Sequence, residues 1–594
     1  MTIRLRRVGW IILSVALPLV PFSCSSTTPS SMEVPSAIDE DFQGPVWFED
    51  VTDAVGLDFV HDAGPTGNYF MPQINGSGCA FIHEMNSENG KDNLYIYLLN
   101  SAGPDSKSVN RLYLRTPEGK FKDVTSGSGL DVAGYSQGVA VGDVNNDGLP
   151  DVLLTQYGGI KLFLNQGNGK FKDVTVAAGL SNPLWGTSAA FLDYDRDGWL
   201  DLVIANYVDY DPQLKCTGTR GMADFCGPAH FSGTCSKLFR NLGASSGSDP
   251  KTSVRFQDVS VATGIAGKSG PGLGVVCADF DGDGWPDIFI ANDEKPNHLW
   301  ISHRKPDGAV YFEEEAGSRG LAYSEGGKAY AGMGIALGDV DNKGMFDLFV
   351  THLVSETHTL WKQGPRGKFR DRTVEAGLMM TGWRGTGFGT LMADFDLDGA
   401  VDLVLVNGAV AHGGNRTRTL PFWERYAQRN QLLANEGKGK FRDLSVYNKA
   451  LCGRGNVARG LACTDFDGDG APDLLVSAIG DRARLFRNVA PDRGHWLSVR
   501  AFDPRWRRDA YGAEVRIQVA DRQMLRLINP AESFLPSSSP YAYFGLGKPD
   551  RVDKIFVKWP DGPLDEVDEE FEGGTADRHL TLTRGTGRKI GKRE

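Results

Sequence analysis

The amino-acid sequence predicts an all-β protein, a seven-bladed β-propeller followed by a small β-rich C-terminal domain. Three observations predict this fold. A nine-residue acidic motif, D-x-D/N-x-D-G-x-x-D, recurs along the chain, and short apolar runs flank each copy. A second motif, F-x-D-V-T-x-x-x-G-L or a degenerate form of it, occurs seven times. The units follow one another at intervals of 50 to 86 residues, about the length of one four-stranded blade.

The acidic motif has five complete copies and one altered copy. The complete copies are Asp143/Asn145/Asp147/Asp151, Asp193/Asp195/Asp197/Asp201, Asp279/Asp281/Asp283/Asp287, Asp394/Asp396/Asp398/Asp402 and Asp465/Asp467/Asp469/Asp473. The altered copy, Asp339/Asp341/Asp347, has Lys343 in place of the third carboxylate. Oxygen ligands at alternate positions, with a glycine at the sharp turn, suit Ca²⁺. The sequence therefore predicts about five Ca²⁺ sites and a sixth that Lys343 puts in doubt. The alternative is a set of turn-capping aspartates without an ion.

The acidic loops are predicted to be hairpin tips and not EF-hands. An EF-hand needs a bidentate Glu at loop position 12. The residues at this position are all apolar: Leu154, Ile204, Ile290, Val350, Leu405 and Val476. They belong to short runs rich in β-branched and aromatic residues, which are typical of buried strands. Each unit is therefore predicted to be strand, cation loop, strand.

The second motif sets the blade count and the closure of the ring. It begins at Phe48, Phe121, Phe171, Phe256, Phe312, Phe369 and Phe441. Seven motifs require a seventh hairpin, which we assign to residues 78–98, with a loop at 83–93 that has lost its cation. Phe48 precedes every loop, and no such motif follows the last loop. The N-terminal strand is therefore predicted to complete the last blade. An open β-solenoid is the alternative, but its repeats are usually shorter.

The N-terminus predicts export. Arg4, Arg6 and Arg7 precede an apolar run over residues 8–22, and Cys24 follows it. We predict an export signal at 1–24, lipidation at Cys24 as in a bacterial lipoprotein, and a flexible linker at 25–45. The protein is then extracytoplasmic: a lipid-anchored envelope protein, or otherwise secreted or periplasmic. Membrane contact is expected only through this anchor.

The cysteines allow a disulfide or a metal site, and the net charge limits the classes of binding partner. Cys216, Cys226 and Cys235 lie in a long insertion at 207–239. An oxidising compartment favours a Cys216–Cys226 disulfide, and a zinc site that includes His230 is the alternative. The formal net charge is −12, and there is no basic stripe with aromatic residues. Nucleic acid is therefore not an expected partner.

Several segments carry a family resemblance. The repeats resemble the FG-GAP/VCBS blades of integrin α-subunit propellers. A C-terminal segment resembles the ASPIC/UnbV domain in Gly512-Ala513-Glu514-Val515, Tyr543-Phe544-Gly545-Leu546-Gly547 and Trp559-Pro560-Asp561-Gly562. The whole chain is similar to the cartilage-acidic-protein family. The resemblance implies a secreted calcium-binding propeller at 46–490 and a β domain at 495–585; a disordered tail is predicted at 586–594. It implies no reaction.

No motif in the sequence indicates an enzyme. His352, His358 and Glu356 form a weak candidate for a metal or acid–base site, and Arg384 is a candidate for lining a central pocket. A second insertion contains His412 and the aromatic stretch 421–426. We predict a binding or adhesion module that recognises a protein or glycan ligand at the cell envelope through its insertions. The alternatives are a carbohydrate-active hydrolase or lyase with a site in the propeller channel, and a passive envelope scaffold.

Overall fold

The computed structural model describes residues 44–85, 92–218, 221–244, 253–412, 420–561 and 568–590. The predicted export signal, Cys24, most of the linker, the tip of the first hairpin and residues 591–594 lie outside this part of the chain. No helix in the described part is long and apolar enough to cross a membrane.

Seven four-stranded antiparallel sheets occupy the described residues between 48 and 488, and we call them blades one to seven. From the axis outward, blade one consists of Cys79–Met85, Asp92–Leu98, Arg111–Arg115 and Phe121–Asp123, and blade two of Ser136–Gly142, Asp151–Gln156, Gly159–Asn165 and Phe171–Asp173. Blade three consists of Gly186–Leu192, Asp201–Asn206, Lys237–Asn241 and Phe256–Asp258, and blade four of Gly272–Ala278, Asp287–Asn292, His298–Arg304 and Val310–Glu314.

Blades five to seven follow the same plan. Blade five consists of Ile335–Gly338, Asp347–Val350, Thr359–Gln363 and Phe369–Asp371, and blade six of Gly387–Ala393, Asp402–Asn407, Gln431–Asn435 and Phe441–Asp443. Blade seven consists of Ala458–Thr464, Asp473–Ala478, Arg484–Asn488 and Phe48–Asp50. The remaining short elements of the propeller are the strand pairs Cys216–Thr217 with Ala223–Asp224, Thr234–Cys235 with Ser269–Gly270, and Gln428–Arg429 with Gly455–Asn456, the helices Pro72–Asn75, Ala316–Arg319 and Lys449–Cys452, and the 3₁₀ turns Pro228–His230, Ile265–Gly267 and Trp423–Tyr426.

The blades form a closed ring, which is a β-propeller. The first strand of each blade contacts the first strand of the next, and that of blade seven contacts that of blade one. The N-terminal strand Phe48–Asp50 is the outer strand of blade seven and pairs with Arg484–Asn488 in the register Phe48↔Asn488. The closure predicted from the order of the motifs is therefore present, and an open solenoid is excluded.

Glycines allow the inner strands to approach one another at the axis. A methyl group on Gly138 would lie 2.5 Å from the carbonyl oxygen of Thr187 in the next blade. On Gly334 it would lie 1.9 Å from the carbonyl oxygen of Phe388. Real side chains do not tolerate such distances. The glycine five residues before the first Asp of a loop is therefore a packing requirement of the ring.

The C-terminal domain contains two sheets in its described part. One consists of Arg508–Asp509, His495–Asp503, Ala542–Gly547 and Arg578–Thr583, and the other of Arg522–Leu527, Glu514–Val519, Arg551–Lys558, Asp568–Thr575 and Arg588–Lys589. Order in the tail extends further than predicted. The sequence predicts disorder from residue 586, but Arg588–Lys589 pairs with Glu569 and Glu570, and Arg588 forms an ion pair of 2.7 Å with Glu570.

A segment of this domain, residues 529–541, fills the central channel, and we call it the axial segment. It exchanges backbone hydrogen bonds with the inner strands of blades one, two, five and seven: Phe81 N–H to Ser537 O, Val139 N–H to Leu535 O, Ser533 N–H to Ile335 O, and Ser539 N–H to Cys463 O, at 2.6 to 3.1 Å. Phe534 and Leu535 are 0% and 2% exposed. The propeller and the C-terminal domain therefore share one core along the axis.

Candidate metal centres

The acidic loops bring their carboxylates together at the hairpin tips, on one side of the ring. In four loops, three carboxylate oxygens from different residues lie within 4.8 Å of one another: Asp193/Asp195/Asp197, Asp279/Asp281/Asp287, Asp339/Asp341/Asp347 and Asp394/Asp396/Asp402. These are the residue types and the spacing that the sequence marks as cation ligands. Oxygen atoms this close can chelate one ion of the size of Ca²⁺.

The first Asp of each loop holds the turn. In the loop of blade three, Asp193 Oδ1 accepts the N–H of Asp197 at 3.0 Å, and Oδ2 accepts the N–H of Gly198 at 2.9 Å. Gly198 has φ +93° and Arg196 has φ +59°, so the backbone passes through the left-handed region twice. This conformation leaves the carboxylates at positions 1, 3 and 5 pointing to one centre.

In the loop of blade two, the residues at the third and fifth positions are hydrogen-bonded to each other. The sequence predicts Asn145 and Asp147 as cation ligands, but the structure pairs them with each other: Asn145 Nδ2 donates to Asp147 Oδ2 at 3.2 Å. Asn145 Oδ1 accepts the N–H of Asp147 at 3.3 Å, and Asp147 Oδ1 accepts the N–H of Leu149 at 2.9 Å. The reason is that an amide, unlike a carboxylate, can donate to its neighbour. In this structure both residues hold the turn, and coordination of an ion by them stays a prediction.

Asp469 in blade seven has partners for both of its oxygens within the protein, as Asp197 has in blade three. Its Oδ2 forms an ion pair of 2.9 Å with Arg493 Nη1, and its Oδ1 accepts the N–H of Ala471 at 3.1 Å. Both oxygens thus have partners within the protein, and a guanidinium group occupies the place of a cation beside Asp469. Arg493 lies on the short connection to the C-terminal domain, and the motif gives no sign that this connection turns back to the loop. A ligand role for Asp469 would require the ion pair to open.

The fifth carboxylates of two other loops hold the turn in the same way as Asp469. Asp283 accepts the N–H of Trp285 at 2.8 Å, and Asp398 accepts the N–H of Ala400 at 2.7 Å. In each case Oδ1 makes this bond, which leaves Oδ2 as the oxygen that an ion could reach. The fifth position therefore combines turn capping, the alternative weighed from the sequence, with a possible share in the ion site.

The ninth residue anchors the loop to its own blade. Asp201 is fully buried; its Oδ2 accepts the N–H of Tyr194 at 3.0 Å, and its Oδ1 accepts the N–H of Asn241 on the third strand at 2.7 Å. The equivalent residues of the other copies make the same two bonds: Asp151, Asp287, Asp347, Asp402 and Asp473. The ninth carboxylate therefore has a structural role whether or not an ion is bound.

Burial makes these clusters electrostatically unfavourable without a cation. It raises the pKa of Asp193 to about 8 and that of Asp394 to about 7, and the neighbouring carboxylates add to the effect. The pKa of Asp195 is raised to about 6, and its Oδ1 is buried without a hydrogen-bond partner. A divalent ion in the loop of blade three would satisfy this oxygen and stabilise the charged forms of Asp193 and Asp195, and a second ion in the loop of blade six would do the same for Asp394. The donor set therefore fits Ca²⁺.

The third strand of three blades places a cation beside the loop, which the sequence analysis missed. Arg240 Nε lies 2.6 Å from Asp195 Oδ2, and Arg487 Nε lies 2.8 Å from Asp467 Oδ2. Lys362 occupies the equivalent position in blade five. The third strand of each blade contains two consecutive large apolar residues, such as Leu238-Phe239. The residue that follows this pair is Arg or Lys in these three blades and apolar in the other four, which is how the sequence marks the cation. These cations lower the negative charge that an ion meets.

The loop of blade five is closed by two lysines. The Nζ atoms of Lys343 and Lys362 lie 2.6 and 2.5 Å from Asp341 Oδ2. Asp339 still accepts the backbone N–H groups of Lys343 and Gly344, at 2.8 and 2.7 Å. The loop thus keeps its shape with two ammonium groups, and its donor set fits an ion less well than the complete loops do.

In blade one the acidic loop is replaced by an extended hairpin. Its strands pair without a bulge from Cys79↔Leu98 to Met85↔Asp92. Glu84 is buried and accepts the backbone N–H of Asn168 in blade two at 2.8 Å. Residues 86–91 lie outside the described part, so the predicted loss of this cation remains a prediction.

The two insertions meet on the side of the ring away from the acidic loops. Cys216 and Cys226 form a disulfide, and Cys235 is a free thiol. Buried Asp224, on the first insertion, accepts the hydroxyl of Tyr426 at 2.8 Å and the N–H of His412 at 3.0 Å, both from the second. We call the described residues of 207–239 and 408–430 the insertion face. The alternative zinc site would consist of Cys216, Cys226, His230 and Cys235, and two of these four residues, Cys216 and Cys226, are bonded to each other.

The candidate catalytic residues take part in packing. His352 is buried, and its backbone N–H donates to His358 Nδ1 at 2.9 Å. Burial lowers the pKa of the His352 imidazole to about 4. Glu356 accepts the N–H of Ala331 at 3.0 Å. The cavity beside His358 and Arg384 is about 20 Å³, which holds one water molecule and no substrate.

Comparison with known proteins agrees with this architecture. A family model described as FG-GAP-like repeat matches residues 89–154, 143–204, 279–350 and 394–476, and one described as ASPIC and UnbV matches residues 504–589. The chain is an FG-GAP-repeat protein with a C-terminal ASPIC and UnbV domain. The family resemblance predicted from the sequence is confirmed.

Curated relatives of this FG-GAP-repeat protein include cartilage acidic protein 1. The mouse protein is 26% identical over 368 residues, which cover 52% of this chain and 55% of that protein. The human protein is 27% identical over 319 residues, covering 52% and 44%. The chain spans about half the length of the curated relatives it matches.

Solved structures give distant matches. An Agrocybe aegerita lectin that recognises non-reducing terminal N-acetylglucosamine matches with a TM-score of 0.34 and 13% identity, covering 68% of this chain and 86% of the lectin. A Bacillus licheniformis rhamnogalacturonan lyase matches with a TM-score of 0.33 and 12% identity, covering 72% and 74%. Neither likeness bears on function.

Proposed function

We propose that this protein is an exported, calcium-stabilised interaction module that binds a protein or glycan ligand at the cell envelope through its insertion face. One observation carries the proposal. Two insertions that are about 200 positions apart in sequence form one surface around buried Asp224, which bonds Tyr426. A structure that joins two long insertions in this way favours a shared binding surface, because loops on a rigid scaffold are common recognition elements.

Aromatic side chains give the insertion face a chemistry suited to recognition. The rings of Phe225 and Trp423, one from each insertion, stack at 6.2 Å with an interplanar angle of 15°. Tyr210 and Phe231 are partly exposed, with ring centroids 5.2 Å apart. Rings held by their neighbours lose little entropy when a ligand binds, which is why aromatic residues are frequent at interaction sites.

The ions have a structural role in this proposal. Each complete loop lies at a hairpin tip, and its carboxylates hold the turn through backbone hydrogen bonds. Ions that bind only the folded protein stabilise it by mass action, by about 4 kcal/mol per independent site at 1,000 times the dissociation constant.

An enzyme working in the channel is the second candidate, and the axial segment argues against it. Phe534 and Leu535 lie at the axis and are almost completely buried. On the other side, Arg459 of blade seven is fully buried and donates to the carbonyl oxygens of Ile74 and Gly408 at 2.8 and 3.0 Å. The space in which a substrate would bind is filled by the protein itself.

Export and anchoring remain proposals that rest on the first residues of the chain. The positively charged start, the apolar run and Cys24 favour a lipid anchor at the envelope. The Cys216–Cys226 disulfide supports an oxidising compartment, since such bonds are rare in reducing ones.

The experiment is a binding screen of the full-length protein against glycans and envelope proteins. We expect Trp423→Ala to weaken the binding of any ligand found. Lys554→Ala is the control, because Lys554 lies on the C-terminal domain and is 50% exposed. A ligand bound equally well by the wild type and by Trp423→Ala, and lost in the control, would overturn the insertion face as the binding surface.

A further inference from the structure

The C-terminal domain contacts every one of the five complete acidic loops. Arg508 Nε donates to Asn146 Oδ1 in blade two at 3.0 Å, and Arg508 Nη2 donates to Gly198 O in blade three at 3.1 Å. Lys558 Nζ lies 2.5 Å from Asp279 Oδ2 in blade four. One domain therefore spans three neighbouring loops at once.

The other two complete loops are held by backbone atoms of the same domain or by its tyrosine. In blade six, the N–H of Gly545 donates to Asp394 Oδ2 at 3.0 Å, and that of Gly547 donates to Leu397 O at 2.8 Å. In blade seven, the N–H of Asp465 donates to the hydroxyl of Tyr543 at 3.1 Å. These contacts are directional, so they exist only when each loop has its present conformation.

Two tryptophans of the C-terminal domain lie directly on loop glycines. A methyl group on Gly198 would come within 1.9 Å of the Trp506 ring, and one on Gly470 within 2.0 Å of the Trp496 ring. Both glycines have a positive φ, +93° and +90°. The domain thus packs against the turn that the first Asp of each loop creates, without using the carboxylates at positions 3 and 5.

The loop closed by lysines differs from the five. The carbonyl oxygen of its glycine, Gly344, accepts from Arg366 of the propeller at 2.9 Å, whereas that of Gly198 in blade three accepts from Arg508 of the C-terminal domain at 3.1 Å.

We propose that ion binding to the complete loops of blades two, three, six and seven and docking of the C-terminal domain are thermodynamically linked. The loop of blade four is left out because docking places the Lys558 ammonium group on its first carboxylate, Asp279. An ion fixes the turn against which the domain packs. The docked domain, in return, selects the loop conformation that binds the ion, and linkage requires the two effects to be equal. The inference rests on the proposed calcium sites and goes beyond them, because it makes the C-terminal domain a part of the ion response.

Hydrogen exchange of the full-length protein tests the first half of the linkage. On removal of calcium by a chelator, we expect faster amide exchange in residues 495–503 and 542–547, which pack on the loops. Unchanged exchange there, while the ions are shown by elemental analysis to have left, would overturn the linkage and leave the calcium sites standing. Failure of the wild type to bind calcium would overturn both.

Variants of the tryptophans test the second half. Trp506→Ala and the milder Trp506→Phe remove or weaken the packing on Gly198 and keep all carboxylates of the loop. Both also remove the hydrogen bond from Trp506 Nε1 to Asp561 Oδ2. We expect calcium titration to show about a tenfold lower affinity at the Asp193 loop, within the usual range of coupling between sites. Met380→Ala, at a position 85% exposed, is the control and should leave calcium affinity unchanged. Equal calcium affinity in wild type and both Trp506 variants would overturn the proposal.

Lys558 is not a suitable variant for this test. Its ammonium group lies against the first carboxylate of the Asp279 loop, so its removal changes the local charge as well as the docking. The tryptophans carry no charge, so their substitution leaves the formal charge of the loop and of the C-terminal domain unchanged.

Discussion

At the scale of single residues, burial decides the state of the histidines. His61, His298 and His352 are 2%, 4% and 1% exposed. Burial lowers the pKa of each to about 4. All three are therefore neutral at pH 7 in the folded protein, whereas the unfolded chain takes up protons near pH 6.5.

We predict that these histidines make the protein sensitive to acid. The pKa of each histidine is lower in the folded than in the unfolded state, so the unfolded chain binds more protons as the pH falls. The free energy of unfolding is therefore undiminished above pH 6.5 and decreases as the pH falls from 6.5 towards 4. His61→Asn keeps an acceptor for the N–H of Gly480 and cannot titrate. Chemical denaturation at pH 7 and pH 4 should show a loss of stability about 3 kcal/mol smaller in this variant than in the wild type. An equal loss in both would contradict the prediction.

The lysines of blade five make a second prediction at this scale. The double variant Lys343→Asp/Lys362→Leu supplies the missing carboxylate and removes the second ammonium group from Asp341. We expect elemental analysis to find one more calcium ion per molecule than in the wild type. Lys343→Gln, which removes charge without adding a ligand, should show no gain, and an equal gain in both would refute the role of the new carboxylate.

At the scale of the loop, the carboxylates divide into two functional groups. Asp201 bonds two backbone N–H groups and stabilises the fold, whereas Asp195 has a buried oxygen without a partner, which we propose as an ion ligand. Asp201→Ala should lower the free energy of unfolding by about 3 kcal/mol or more, with or without calcium, because two buried donors lose their acceptor.

Asp195→Ala provides the contrast. We expect it to change the melting temperature little in chelator, where burial already disfavours its charge, and to reduce the rise in melting temperature that calcium produces. Thermal melts of both variants in calcium and in chelator separate the two roles. A calcium response in Asp195→Ala as large as that of the wild type would show that this carboxylate is not a ligand.

The sequence predicts the loop motif well because the hydrogen bonds that shape its turn are local. Asp193 bonds residues four and five positions later, and this spacing is visible in the motif itself. Arg240 was missed because its contact with Asp195 crosses to another strand, and only strand register brings the two together. The strand Arg588–Lys589 is also not predicted, because it pairs with Asp568–Thr575 and not with Arg578–Thr583, the strand that directly precedes it in sequence.

The same limit explains why one predicted ligand is engaged elsewhere. Asp469 fits the motif, yet its ion pair with Arg493 joins residues 24 positions apart. The motif predicts which carboxylate oxygens lie near a hairpin tip, but it does not predict which basic side chain from elsewhere in the chain pairs with them.

At the scale of the whole molecule, the axial segment joins the two domains into one folding unit. Leu535 is 2% exposed and its carbonyl oxygen accepts a backbone hydrogen bond from Val139. We predict a single unfolding transition in calorimetry, and a loss of about 2 to 5 kcal/mol for Leu535→Ala. Met380→Ala, at a position 85% exposed, is the control and should be neutral. Two separate transitions in the wild type would contradict a shared core.

The ring was predictable from the sequence, whereas the placement of the C-terminal domain was not. Repeats report the blades because each blade is encoded by the same local pattern. The axial segment has no repeat and no periodicity, and its contact between Ser537 and Cys79 joins residues more than 400 positions apart. The meeting of Asp224 with Tyr426 is also long-range, and the sequence only marks each insertion separately.

The outer strand of blade seven has a consequence for biosynthesis. Asp50 pairs with Arg484, which is 434 positions later in the chain. A growing polypeptide therefore presents an unpaired edge from its first folded residues until nearly the entire ring has been made, and unpaired edges invite aggregation. A polypeptide that ends before Arg484–Asn488 lacks the partner of the N-terminal strand, so its ring of blades stays open. Secretion of the completed polypeptide before folding would remove this hazard, since both ends would then be available at the same moment.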